Sequence, residues 1–169
     1  MQEVLKEMLA EKLPKLSQHF TKHGVDPALF TLNWFLCVFV DTVPVKTYLH
    51  IWDAFLFEGS KVLFRYAIAI FKYMESGLLK QGDYMSIYNT LRDGLEYLTD
   101  TSTLTQIAFH ELNPFPMRTI HNKREHHYKV LEAQKKELDH IRQEYHRKNS
   151  VARTPRSSRE AGKNNEEED

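Results

Sequence analysis

Nine histidines and one cysteine are the side chains of this 169-residue sequence best suited to metal binding or nucleophilic chemistry. His19 and His23 stand at i, i+4, a spacing that can share a metal ion, but Phe20 follows His19 where a zinc hydrolase helix carries Glu, and Gly24 ends the pattern close by. Two surface histidines are the reading favoured. His121, His126, His127, His140 and His146 lie among Lys and Arg, where protonation competes with metal and no Cys or clustered carboxylate completes a ligand set. No metal is assigned. Cys37 sits inside Phe35-Leu36-Cys37-Val38-Phe39 with no acid or base nearby in sequence to lower its pKa, so an inert, buried thiol in a reducing setting is expected. There is no Gly-rich phosphate loop and no Ser/His/Asp arrangement with a nucleophile turn, so no cofactor and no nucleotide-binding enzyme is indicated.

Charge excludes further classes. Lys plus Arg and Asp plus Glu each number 23, so no global field draws the chain to nucleic acid. The basic pairs Lys123-Arg124, Lys135-Lys136 and Arg147-Lys148 are interleaved with Glu125, Glu132, Glu137, Asp139 and Glu144, the pattern of a solvated helix face. Arg153 to Arg159 holds Ser and Thr beside Arg and offers a weak phosphorylation signal. Glu3, Lys6, Glu7, Glu11 and Lys12 are incompatible with the apolar region of a signal peptide. The apolar stretch Phe30 to Val40 is about half of what a membrane span needs, and Arg65 breaks the next, so no transmembrane helix is expected.

The elements that must position these residues are helices. Val4, Met8, Leu9, Leu13 and Leu16 mark a first helix that Pro14 bends or splits and Gly24 ends. Asp26-Pro27 starts a second, Leu29 to Val40, apolar around most of its circumference and so expected at the centre of the core. Pro44 starts a third that Gly59 stops; Ser60 caps a fourth, Lys61 to about Met74, interrupted at Ser76-Gly77. Asp83 caps a fifth, and a sixth runs from about Ser102 to Leu112 before Asn113-Pro114-Phe115-Pro116. The fold class is therefore all-α, about six helices over residues 1–116, followed by a long charged amphipathic helix over 117–149 and a disordered tail over 150–169. On the charged helix Leu131, Leu138, Ile141 and Tyr145 form one narrow stripe, too short to claim a coiled coil, that can pair with another helix but is expected in the first place to dock on its own domain.

The most specific feature is the block Asn33-Trp34-Phe35-Leu36, through Pro44, to Ile51-Trp52-Asp53-Ala54-Phe55-Leu56-Phe57-Glu58-Gly59. Trp34, Phe35, Trp52 and Phe55 read as core aromatics on two facing helices, and Asp53 as a carboxylate that caps or ion-pairs across to another element. With Leu13-Pro14, His19-Phe20 and Lys61-Val62-Leu63-Phe64, this block resembles the C-terminal part of the TBC domain of Rab GTPase-activating proteins, over roughly residues 1–112. Leu112 to Met117 and the charged helix are similar to the extension of the Armus-like subgroup.

The resemblance implies a regulator of Rab-type small GTPases in vesicle trafficking, cytoplasmic and peripheral to endosomal membranes. It also implies an Arg in Ile-x-x-Asp-x-x-Arg that neutralises charge growing on the phosphoryl group, and a Gln in Tyr-x-Gln that positions water. Neither motif occurs in these residues; Asp139-x-x-Arg142 has Lys136 where Ile is required. The family's two fingers precede the matched block, so the expectation is a scaffold with part of a GTPase-facing surface and no catalysis of its own. Two other readings compete. One is a helical interaction module acting through Leu131, Leu138 and Ile141; the other is a piece whose uncovered apolar face makes it aggregate.

Overall fold

Proline, glycine and aspartate divide the chain into its helices. In the computed structural model, which describes residues 1–152 and side chains through Arg147, α1 (Gln2–Lys12) gives way to α2 (Pro14–Lys22) because Pro14 stands at a first helical position. Gly24, at φ 66°, supplies the left-handed turn that follows α2. α3 (Ala28–Leu36) opens beside Asp26, whose carboxylate accepts from the Ala28 N–H at 2.8 Å. α4 (Val45–Glu58) follows Pro44 and stops at Gly59, φ 74°. Next come α5 (Lys61–Leu78), α6 (Tyr84–Glu96) and α7 (Thr101–Gln106); Asp83 and Asp100 cap the last two, each accepting a backbone N–H at 3.0 Å. α7 runs into a π-helical turn, Ile107–Glu111, and α8 spans Met117–Ala152. All the regular elements among the described residues are helical, as the periodicity implied.

Two compact units result, Met1–His127 and a second beginning at Tyr128. The expected disorder of the tail and the phosphorylation signal at Arg153 to Arg159 fall, from residue 153 on, outside the described residues.

The centre of the first unit is α5, in which every residue from Val62 to Phe71 is buried. This corrects the expectation that the helix from Leu29 to Val40 would be central. α3 ends at Leu36, and Leu29, Leu32 and Leu36 are exposed. The reason is geometric. Trp34 and Phe39 both belong to the core, yet on a continuous helix residues five apart stand about 140° from each other. The chain leaves the helix instead, with Val38, Phe39 and Asp41 all at positive φ, and the two rings meet at 5.8 Å. A consequence is that Cys37, expected to be buried, is exposed on the outside of this turn, its Sγ 3.6 Å from Asn33 Oδ1. α5 also outruns its predicted end, passing Ser76-Gly77 to reach Leu78, whose complete burial outweighs the low helix propensity of Gly77.

The first turns of α8 belong to the first unit. Ile120 is fully buried, and Lys123 Nζ lies 2.7 Å from both Glu7 Oε2 and Glu11 Oε1, while His127 Nε2 lies 2.7 Å from Glu7 Oε1. The hydrogen bond from Lys123 holds Glu7 below its ordinary value of 4.5 against a smaller opposing effect of burial, and Glu11 and Glu7 raise Lys123 above 10.5. A depressed carboxylate stabilises the fold above its unfolded-state pKa and loses that contribution as pH falls through its folded-state pKa; a raised ammonium does so below 10.5 and loses it as pH rises. The pairing of Lys123 with Glu7 is therefore at full strength from about pH 5 to pH 10. Glu7→Gln is expected to melt below wild type at neutral pH and to coincide with it in acid, as thermal melts across an acid titration would record. A gap that persists unchanged to the lowest pH would contradict this.

Candidate functional site

The block that carried the resemblance forms the corner between α3 and α4. Trp34 is 2% exposed, with Phe71 of α5 at 5.3 Å on one side and Phe39 on the other. Phe35 meets Phe64 of α5 edge-on at 5.3 Å and is half-buried, as is Phe55. Trp52 departs from the expected core position: it is 38% exposed, and its indole N–H donates to the carbonyl of Val38 at 2.9 Å. An indole has a single polar atom, and here that atom fastens the left-handed turn, which leaves the ring's face at the surface. Asp53 departs further. It is exposed, and its carboxylate neither caps a helix nor pairs with a cation among the described residues, because α4 turns this position to solvent, where a carboxylate needs no partner.

α3 and α4 are each apolar on two faces. α3 buries Phe30, Thr31 and Trp34 while Leu29, Leu32 and Leu36, at i, i+3, i+7, face out. α4 buries Thr47 and Ile51, with the Thr47 hydroxyl donating to Leu98 O, while Val45, Leu49, Trp52 and Leu56 repeat at i, i+4, i+7, i+11 on the outside. Leu56 is 77% exposed and Phe57 90%. Isolated apolar residues on a surface need no explanation, but outward apolar positions at helical spacing on consecutive helices are the mark of a protein-contact surface. The sequence held this signal in a helix apolar around most of its circumference, which the expectation took for a place at the centre of the core.

Behind the corner lies a residue that sequence reasoning noticed only as an interruption. Arg65 is 6% exposed in the second turn of α5; its Nη1 donates to Ala108 O at 2.7 Å and to Asn113 Oδ1 at 3.0 Å, and its guanidinium lies 5.0 and 4.9 Å from the rings of Phe109 and Phe115. Burial lowers its pKa, and the charge of Glu58 opposes that shift. Enclosed in this way, Arg65 cannot extend toward a nucleotide; it ties the π-helical turn to the core. The clue was one cation within a run otherwise wholly apolar.

The histidines stay apart from any such site. The rings of His19 and His23 are 4.5 Å apart on and beside α2, and no three His, Cys, Asp or Glu side chains among the described residues are placed to hold a metal ion. His50 meets the Thr105 hydroxyl at 2.8 Å in a groove lined also by Thr101, Ser102, Gln106 and His110, and the Tyr66 hydroxyl lies 3.4 Å from the same Thr105 oxygen. On α8, Leu131, Leu138, Ile141 and Tyr145 are all exposed. No helix among the described residues is long and apolar enough to cross a membrane.

A family model described as the Rab-GTPase-TBC domain matches residues 1–79. TBC1 domain family member 2A of Mus musculus is 46% identical over 155 residues, 91% of this chain but 17% of the relative. TBC1 domain family member 2B of Homo sapiens is 44% identical over 151 residues, 89% of this chain and 16% of the relative. The chain thus spans less than a fifth of the length of these curated relatives. A crystal structure of the Chlamydomonas flagellar RabGAP TBC domain superposes with a TM-score of 0.62 at 32% identity, covering 64% of this chain and 38% of that one.

Proposed function

We propose that this chain, which matches the Rab-GTPase-TBC domain over residues 1–79, is a regulator of Rab-type small GTPases whose residues supply scaffold and contact surface and leave the catalytic groups to be provided from elsewhere. The observation that carries this reading is the outward apolar face of α3 and α4, set on a corner rigidly held by Trp34, Phe39 and Trp52. Activation of GTP hydrolysis needs a cation where charge develops and a polar side chain that orients water. Neither finger motif of the family occurs in the 169 residues, and the one arginine of the central helix is enclosed. Exposed leucines and aromatics can hold a partner in place and cannot perform either task.

Identity with the TBC1 domain family member 2A and 2B proteins over about nine-tenths of the chain, through the start of α8, supports assignment to the Armus-like subgroup and a cytoplasmic role in vesicle trafficking, peripheral to endosomal membranes. The purified chain, incubated with a panel of GTP-loaded Rab proteins, is expected to leave hydrolysis at its intrinsic rate. Binding to any Rab it recognises is expected to weaken at least ten-fold in the Leu56→Glu, Phe57→Glu double variant, with melting unchanged, since both side chains are mostly in solvent. A rate enhancement that survives dilution and repurification would overturn the proposal, as would the absence of binding to every Rab tested.

A further inference from the structure

The second unit offers a surface that the GTPase reading does not use. From Tyr128 onward α8 is exposed at every described position. Leu131, Leu138 and Tyr145 recur every seven residues, and Ile141 falls three after Leu138, so Leu131, Leu138 and Tyr145 take the a positions of a heptad and Gln134 and Ile141 the d positions. Their exposures are 62%, 56% and 65% for the a residues and 56% for Ile141. The charges flanking this seam are sorted. Both e positions are basic, Lys135 and Arg142, and both g positions are acidic, Glu137 and Glu144.

We propose that this stretch of α8 pairs with α8 of a second copy of the chain as a short parallel coiled coil, its orientation selected by the pairing of Glu137 on each helix with Arg142 on the other. The orientation follows from the sorting. In a parallel pair each g residue faces the e residue five positions on in the partner, which sets Glu137 against Arg142 twice by symmetry. In an antiparallel pair g faces g and e faces e, which sets Glu137 against Glu144 and Lys135 against Arg142, all of like charge. The ion pairs already present on the helix do not compete strongly: Lys136 with Glu132, 3.0 Å apart, lie on the side away from the seam, and Arg142 reaches Asp139 only at 3.8 Å with both side chains half or more in solvent. Gln134 at a d position costs stability and disfavours shifted registers. The seam from Leu131 to Tyr145 is about 21 Å long, so the association is weak, micromolar or weaker.

Sedimentation equilibrium of the whole chain, with helicity followed by circular dichroism, tests this. Wild type is expected to show a reversible monomer to dimer equilibrium that Leu138→Glu abolishes without loss of helicity. Glu137→Arg and Arg142→Glu are each expected to weaken dimerisation several-fold, because each sets like charges across the seam, and an equimolar mixture of the two is expected to restore it. A wild-type chain that stays monomeric at millimolar concentration, even if it captures a helix of another protein, would overturn the proposal. So would association that survives Leu138→Glu, and so would tighter dimerisation of Glu137→Arg, the result that antiparallel pairing with Glu144 demands.

Discussion

Arg65→Ala is expected to lower the melting temperature of the chain by about 10 °C, corresponding to about 3 kcal/mol for a unit of this size. The substitution removes a cation that donates to Ala108 O and Asn113 Oδ1, and it leaves the space beside the rings of Phe109 and Phe115 empty. The carbonyl of buried Ala108 would then lack its donor, and the π-helical turn would lose its tie to α5. Two further variants separate the contributions. Arg65→Met fills the space without donating, and Arg65→Lys keeps one donating nitrogen, as Nη1 alone makes both hydrogen bonds here, but loses the flat guanidinium that lies against the two rings. Both are expected to melt between wild type and Arg65→Ala. Calorimetry that places Arg65→Ala within 2 °C or so of wild type would show that the clamp contributes little to folding.

The two tryptophans are expected to behave as differently as the structure places them. Trp34→Ala removes a ring that is 2% exposed and held between Phe39 and Phe71, at a cost of about 4 kcal/mol. Trp52→Ala removes a ring already 38% in solvent and one hydrogen bond to Val38, at a cost of about 1 kcal/mol. Fluorescence offers a reading that does not depend on unfolding. With Trp52→Phe the remaining Trp34 is expected to emit at short wavelength and resist acrylamide, whereas with Trp34→Phe the remaining Trp52 is expected to be quenched readily. The opposite ranking would remove the basis for the corner described here.

Most of the helices were legible because their ends are written in residue types whose physics is local. Pro14, Pro44 and Gly59 act through backbone freedom, and Asp83 through one carboxylate; none needs a distant partner to be understood. The corner was misread for the opposite reason. Periodicity reports that Leu29, Leu32, Leu36 and Trp52 are apolar and helical, and it says nothing about whether a second layer of protein lies outside them. A helix apolar on all sides reads the same whether it is buried in its own domain or divides its faces between that domain and something else. Arg65 was opaque because its meaning depends on Ala108 and Asn113, more than forty positions later. Asp53, placed in an apolar block, drew an expectation of burial that one turn of helix geometry removes.

Val38, Phe39 and Asp41 adopt a handedness that side chains with a Cβ resist, and no glycine lies between Gly24 and Gly59 to relieve it. Such a conformation is unstable in isolation and survives only while its surroundings enforce it. The enforcement comes from Phe39 seated against Trp34 and from Trp52 reaching back across the bend to the carbonyl of Val38, so the bend keeps its handedness only where α3 and α4 meet.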